Sequence, residues 1–258
     1  MLSYQHAFHA GNLADLHKHA LLATMLDYLA QKPKPLSYLE TQSGRGLYNL
    51  SGAEAEKTGE AAAGITRALT QGWLADDHPL LRALSAVRRQ YGPNAYPGSP
   101  LIAQELLRPD DTIHLAELHP AEAGALAQVM PHVHLHHADG FRMANAVTPP
   151  TPRRGMLLID PSFEVKSDYD TLPRFIRQIA KKWNVGVIAL WYPILADQRH
   201  KPMADALSQD FPDALRSEVH FPPARPGHGM IGSGMFVVNP TFGLADEHAR
   251  LKRIFDAL

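Results

Sequence analysis

An apolar run, Gly155-Met156-Leu157-Leu158-Ile159, delivers Asp160-Pro161-Ser162-Phe163 to one point of the chain. A carboxylate, a rigid proline and an aromatic ring at the end of a buried strand can hold a planar amine. The carboxylate accepts an N–H from the exocyclic amine of a base, and the ring offers a face to stack on. Strand–Asp–Pro turns are common, so the pattern gains meaning only beside a nucleotide-type site. Three more expected strands end in acidic residues or acidic turns, at Glu40, Glu117 and Asp139. Each of the four has a plainer role open to it, because acids often start the helix that follows a strand. Together they mark the carboxyl edge of a sheet, where α/β proteins bind ligands. Glu117 is placed to accept ribose hydroxyls, and Asp139-Gly140 to meet the edge of an adenine ring. The Gly44/Gly46 turn would leave room for the rest of the ligand.

No phosphate grip accompanies these acids. The Gly44-Arg45-Gly46 turn is not followed by Gly-Lys-Ser/Thr, and it lacks the G-x-G-x-x-G spacing of dinucleotide folds. A nucleoside-like cofactor without phosphates fits, and S-adenosylmethionine (SAM) is the candidate. Fifteen histidines invite a metal reading, with His132, His134 and His136 alternating onto one strand face. No H-E-x-x-H occurs, however, and Asp160 has no acid at ligand spacing, so no metal site is expected.

The elements that must position these groups alternate. A helix is expected over 9–31 with Asn12 as N-cap, then a strand over 36–40 running into the Gly turn. Residues 51–95 change character: two Ala- and Glu-bearing helices, 53–69 and 79–91, read as a helical insertion within a single 1–258 domain. Ser99 as N-cap and Pro100 in the first turn restart a helix. Strands follow over 112–117, 132–136, 156–160 and 185–191, with helices over 119–130, 170–183 and 199–209 between or after them. Strands at 219–221 and 235–238 read as a closing antiparallel pair. The pattern predicts an α/β fold, a mostly parallel sheet with helices on both faces.

Several motifs occur together and in order: Tyr4-Gln5-His6-Ala7-Phe8-His9-Ala10-Gly11-Asn12 with Ala14-Asp15 and Lys18-His19, then Tyr96-Pro97-Gly98-Ser99-Pro100 and Glu117-Leu118-His119-Pro120. Ala138-Asp139-Gly140, Ala189-Leu190-Trp191-Tyr192-Pro193 and Gly232-Ser233-Gly234-Met235 complete the set. In these the chain resembles the RlmJ family, adenine-N6 methyltransferases of 23S ribosomal RNA, over nearly its whole length. The resemblance implies a Rossmann-like SAM-dependent fold with a helical subdomain inserted after the first Gly-rich turn. It implies SAM contacts at His19, Gln42, Ser99, Glu117, Asp139, Gly140 and Asp160, and it places the tail bearing Tyr4 and His6 near cofactor and target base. A frayed terminus is the plain alternative for that tail. Gln42 stands where the family has His, and Ser162-Phe163 where it has Pro-Tyr. Relatives run further past Phe255, so a final edge strand is expected to be missing.

In the expected chemistry Asp160 accepts one N–H of the adenine amine, the Pro161 carbonyl accepts the other, and Phe163 stacks on the base; a core aromatic is the alternative for Phe163. Arg153, Arg154 and Lys166, which bracket Asp160 in sequence, are the preferred phosphate contacts, and binding should weaken steeply with salt. Arg174, Arg177, Lys181, Lys182, Arg199, His200, Lys201 and Arg225 are also available for RNA contact, several of them as ordinary solvated helix charges. Two rivals stay open: a DNA adenine methyltransferase and a catalytically weakened RNA-binding protein.

Bulk composition constrains the rest. The formal net charge of −1 gives no global sign of a nucleic-acid partner, so RNA must be held by a local basic face. Zero cysteines exclude disulfides and thiolate metal sites. The N-terminus lacks a signal-peptide pattern, and the longest apolar stretch, 185–195, is too short to span a bilayer. The expectation is a cytoplasmic monomer without a membrane, acting on free or early-assembly 23S rRNA.

Overall fold

In the computed structural model, which describes residues 5–224, 227 and 229–258, the chain forms a seven-stranded sheet with a separate two-stranded ladder. The strands are β1 (Ser37–Glu40), β4 (Thr112–Ala116), β5 (His134–His136), β6 (Gly155–Ile159), β7 (Val187–Leu195), β8 (Leu215–His220) and β9 (Met230–Val238). They run β5-β4-β1-β6-β7-β9-β8, parallel from β5 to β7 and antiparallel at β9 and β8. β1 and β6 are buried at every residue, which is why β6 reads as an unbroken apolar run, whereas the two polar ends of β1, Ser37 and Glu40, are hydrogen-bonded inside the fold.

Successive side chains of these strands feed two cores. Tyr38, Met156 and Leu158 join helices α1 (Leu13–Ala30), α4 (Pro79–Tyr91), α5 (Ser99–Leu106), α6 (Pro120–Val129) and α10 (Leu244–Phe255). Leu39, Leu157 and Ile159 point the other way, to α7 (Gly140–Val147), α8 (Asp168–Lys182) and α9 (Lys201–Asp210). After β1 the chain builds outward to β4 and β5, then crosses back to place β6 on β1's other side. That reversal falls at the carboxyl ends of β1 and β6, where open sheets of this kind hold ligands in a crevice. Among the described residues no helix is long and apolar enough to cross a membrane.

Several sequence expectations need correction. The helix expected over 53–69 is broken. α2 (Ala53–Thr58) stops at Gly59 with φ +65, and a π-type turn (Ala62–Thr66) leads into α3 (Arg67–Thr70). Gly64 is non-helical because the Gly11 carbonyl crosses it: a Cβ there would lie 2.1 Å from Gly11 O. The segment 51–95 falls between β2 (Leu47–Asn49) and β3 (Ala95–Pro97), an antiparallel pair that brings its two ends together. Its longest helix, α4, shares the core of α1. Gly98, not Ser99, is the N-cap of α5, since the Ser99 hydroxyl is committed elsewhere. β7 runs on through Pro193. Its pairing with β6 ends at Leu190, so the proline's missing N–H faces no partner on that side.

Candidate active site

Asp160 emerges at the carboxyl end of β6 and is met there by the first helix. Asn12 caps α1, its side chain accepting the Asp15 N–H at 2.8 Å. One turn on, Asp15 and Lys18 share a face, with Lys18 Nζ 3.2 Å from Asp15 Oδ1. Lys18 Nζ also donates to Asp160 Oδ2 at 2.7 Å and lies 5.5 Å from the centre of the Trp191 ring. Asp15 Oδ2 accepts the Gly11 N–H at 2.9 Å and lies 2.9 Å from His6 Nε2. A chain His6–Asp15–Lys18–Asp160 therefore links the N-terminal tail to the strand end. Burial opposes the charge on Lys18, but the carboxylates of Asp160 and Asp15 outweigh it and hold the ammonium's pKa above the ordinary lysine range. Burial likewise opposes the charge on Asp15, yet His6, Lys18 and His19 keep that carboxyl well below its usual range. The cluster Asp15, Lys18, Asp160 sums to one negative charge, and among the described residues Asp160 Oδ1 makes no hydrogen bond. Such a site favours a cation, or a donor N–H, placed beside that oxygen.

A second group of acids lies at the neighbouring strand ends. Glu117 follows β4, its carboxylate accepting the Gly44 N–H at 2.8 Å and the His119 N–H at 2.7 Å. Glu40 ends β1, fully buried, accepting the Ser99 hydroxyl at 2.5 Å and the Tyr38 hydroxyl at 2.8 Å. Burial pushes its carboxyl up to about 8, although both hydroxyls pull the other way. Gln42 Oε1 accepts the Asp160 N–H at 3.3 Å, which ties the ends of β1 and β6 together. His19 is buried on α1, with Nδ1 2.9 Å from the Tyr96 hydroxyl, and burial lowers its pKa to about 3, so the ring is neutral. Asp139 caps α7 through the Arg142 N–H at 2.8 Å, and Gly140 follows where a Cβ would lie 1.8 Å from Thr41 O.

The structure separates some of the residues that sequence neighbourhood joined. Arg153 and Arg154 precede β6, and Asp160 follows it. Six residue steps at about 3.3 Å each put Arg154 roughly 20 Å away, with Arg153 beyond it, at the opposite edge of the sheet. Arg154 is turned onto the carbonyls of Lys34 and Leu29 there. Neither arginine belongs to this site; Lys166, exposed in the loop after Phe163, does lie on its side. Phe163 is 8% exposed, with its ring 4.6 Å from Tyr169 and 6.3 Å from Trp191, which is the core-aromatic arrangement. Its φ of +55 is rare for a bulky residue and marks a strained loop. The Gly44/Gly46 turn does not reserve open space either: a Cβ would meet Tyr48 at 2.6 Å or Leu126 at 2.8 Å. Pro161 is buried beside Asp160, and Tyr4 and Arg225 lie outside the described residues. Lys18, Asp15 and Trp191 carried no assigned role in the sequence; the signal for the first two was an Asp and a Lys three apart on a helix whose other charged residue is Asp27.

The tail that carries His6 is fastened to the segment 51–95. Glu60 Oε2 lies 3.0 Å from His9 Nδ1 and accepts the Asn12 side-chain N–H at 3.0 Å. Glu60→Ala is expected to release this turn, read as faster amide exchange over residues 8–12 while α1 beyond Leu16 keeps its protection. Unchanged exchange there would mean that backbone bonds such as Ile65 N–H to Gly11 O hold the tail alone.

Comparison with known proteins places this geometry. The family model described as Ribosomal RNA large subunit methyltransferase D, RlmJ, matches residues 33–256. Ribosomal RNA large subunit methyltransferase J of Escherichia coli (strain K12) is 40% identical over 256 residues, covering 96% of this chain and 90% of that protein. The Haemophilus influenzae protein of the same name is 40% identical over 255 residues, with the same coverage of 96% and 90%. Among solved structures, a crystal structure of a Legionella pneumophila protein superposes with a TM-score of 0.85 at 34% identity, covering 95% of this chain and 92% of that one.

Proposed function

Because the chain belongs to the RlmJ family of ribosomal RNA large subunit methyltransferases, we propose that it methylates the exocyclic N6 amine of an adenine in 23S rRNA, with SAM as methyl donor. The observation that carries this is the Lys18-held carboxylate of Asp160 at the crevice between β1 and β6. SAM, when bound, supplies an electrophilic methyl group on a sulfonium sulfur. The residues present fit it. Ser43 Oγ is buried beside the Gly turn without a hydrogen-bond partner among the described residues, Glu117 offers a fixed acceptor for a diol, and the negative Asp15–Lys18–Asp160 cluster suits a sulfonium. Ser99, Gln42, His19, Asp139 and Gly140 complete the proposed cofactor wall. Of these, Ser99, His19 and Gly140 act through the shape they give it, because their own bonds and close contacts are internal.

An adenine amine is a weak nucleophile, since its lone pair is shared with the ring. Asp160 Oδ1 accepts one of its N–H bonds and the Pro161 carbonyl the other, which bends the nitrogen toward a tetrahedron and frees the lone pair. Lys18 occupies Oδ2, so the carboxylate cannot rotate away. As the N–C bond formed and the donor's S–C bond broke, leaving a neutral thioether, the nitrogen would turn cationic, and Asp160 would then take its proton. Positioning and charge of this kind supply several kcal/mol of barrier lowering. The base reaches this point only when swung out of its stack. Phe163, in edge contact with Trp191, is the aromatic beside Asp160, and Lys166, Tyr4 and His6 are the proposed RNA-side contacts.

Incubating the protein with methyl-labelled SAM and deproteinised 23S rRNA, adenine-containing DNA or assembled large subunits tests the reading. Label is expected in N6-methyladenine of the free 23S rRNA, with the protein acting as a monomer. Label in DNA alone, or in no substrate despite SAM binding, would overturn the assignment.

A further inference from the structure

A buried histidine that the methyl-transfer chemistry does not use lies one residue before Lys18. His17 is fully buried on α1, and both of its ring nitrogens are engaged. Nδ1 lies 2.9 Å from Ser233 Oγ on β9, and Nε2 lies 2.9 Å from Ser217 Oγ on β8. Ser233 Oγ in turn accepts the indole N–H of Trp191 at 3.0 Å, and Ser217 Oγ lies 2.7 Å from His248 Nδ1 on α10. Both serines are fully buried. Five side chains from five elements thus form one line. It starts at the partly exposed His248 and ends at Trp191, whose ring carries Lys18 on its face and Phe163 at its edge.

The direction of every bond in this line follows from one group. An indole N–H only donates. Ser233 Oγ must accept it, and the serine's own hydrogen then goes to His17 Nδ1. That fixes His17 as the tautomer protonated at Nε2, which donates to Ser217, whose hydrogen reaches His248 Nδ1. The reverse polarity would aim two donors at Ser233 and leave its hydroxyl hydrogen, in a buried site, without an acceptor among the described residues. A fully satisfied buried polar network holds its members in one geometry, and a half-satisfied one is worse than an apolar core. Burial lowers the His17 pKa to about 3, so the neutral ring required by this pattern is the one present.

We infer that His17 is a positioning residue for the methyl-transfer site, setting the plane of the Trp191 indole through Ser233 and so the seat of Lys18 beside Asp160. The inference rests on the proposed reaction only for its kinetic consequence. His17 touches neither the reacting amine nor the donor. Turning the indole would leave the Lys18 ammonium without its aromatic face and Phe163 without its edge contact, while the Glu117 side of the crevice keeps its bonds.

The test has a spectroscopic arm and a kinetic arm. Imidazole ¹⁵N shifts of the unmodified protein should show His17 protonated at Nε2 and not at Nδ1. Of the three tryptophan indole N–H resonances, the one lost in Trp191→Phe should be the one that moves in Ser233→Ala and His17→Phe. In both variants kcat is expected to fall about ten- to a hundredfold, the loss a misplacement of about 1 Å produces. SAM affinity should stay within about twofold, and His17→Gln, whose amide both donates and accepts, should recover most of the rate. A wild-type Nδ1–H tautomer overturns the inference even if no variant folds, and so does full activity in Ser233→Ala with a displaced indole signal. Failure of the parent reading looks different: it is an Asp160→Asn protein that still transfers methyl groups.

Discussion

Asp160→Asn is expected to lower kcat for methyl transfer by about a thousandfold, within the range for removing a positioned carboxylate. The amide keeps the size of the side chain, but it neither attracts a developing ammonium nor takes its proton. The structure adds a consequence for stability, because Asp160 is one of two carboxylates holding a buried ammonium. Stranding a buried charge completely costs about 3–5 kcal/mol. Lys18 retains Asp15 at 3.2 Å, so a smaller loss, roughly 1–3 kcal/mol, is expected on denaturant unfolding. Adding Lys18→Met to Asp160→Asn should lower stability further, because the buried Asp15 then loses its ammonium, and should restore no activity. Transfer measured far below the unfolding midpoint of each variant separates a catalytic loss from a folding defect. Single-turnover transfer and urea titration of the two variants are sufficient, and an Asp160→Asn protein with wild-type kcat ends the assignment of this carboxylate to the reaction.

What could be read in the chain beforehand was governed by range. β6 and its terminal Asp160 are local: five apolar residues followed by Asp-Pro can be little else than a buried strand feeding a turn. The cap at Asn12 and the alternation of strands and helices are local too. Lys18 is the opposite case. A lysine three residues after an aspartate reads as a solvated helix pair, and nothing nearby tells that its other partner stands 142 residues on. The same limit misplaced Arg153 and Arg154, which adjoin the catalytic strand in sequence but enter at its far end. The break at Gly64 was hidden because it answers a close approach by Gly11, not a local preference of an Ala-rich segment. His17 looked like one of fifteen histidines, and only the fold shows that it spans two strands.

That last residue and its neighbour give the second large expectation, a steep loss of stability in mild acid. Folded His17 and His19 stay neutral down to about pH 3, because burial disfavours their charged forms. In the unfolded chain a histidine takes its proton near pH 6.5. Between those values the unfolded state binds more protons than the folded one, so stability falls as pH falls. Each histidine contributes a slope of about 1.4 kcal/mol per pH unit below about pH 6.5. Burial also lowers His114, to about 4, which adds a third slope, while Glu40, raised to about 8, takes its proton first in the folded state and offsets one of the three down to the ordinary carboxylate range, so that two remain. Asp15 acts in the same sense, but only as the pH falls below the ordinary carboxylate range, since its folded pKa is depressed from there. Lys18, with its raised folded pKa, keeps its contribution throughout the acid range and loses it only in strong alkali. Two such slopes consume a typical domain stability of about 5–15 kcal/mol within a few pH units, so unfolding is expected near pH 4 rather than near pH 2. Denaturant titrations at pH 7.5, 6.5, 5.5 and 4.5 should show the slope setting in below 6.5, and His17→Phe should lower it by one histidine's share, about 1.4 kcal/mol per pH unit, whatever it does to stability at pH 7.5. A curve flat down to pH 4.5 would mean that these two rings accept protons in the folded state, and with that the fixed polarity of the His17 line would be lost.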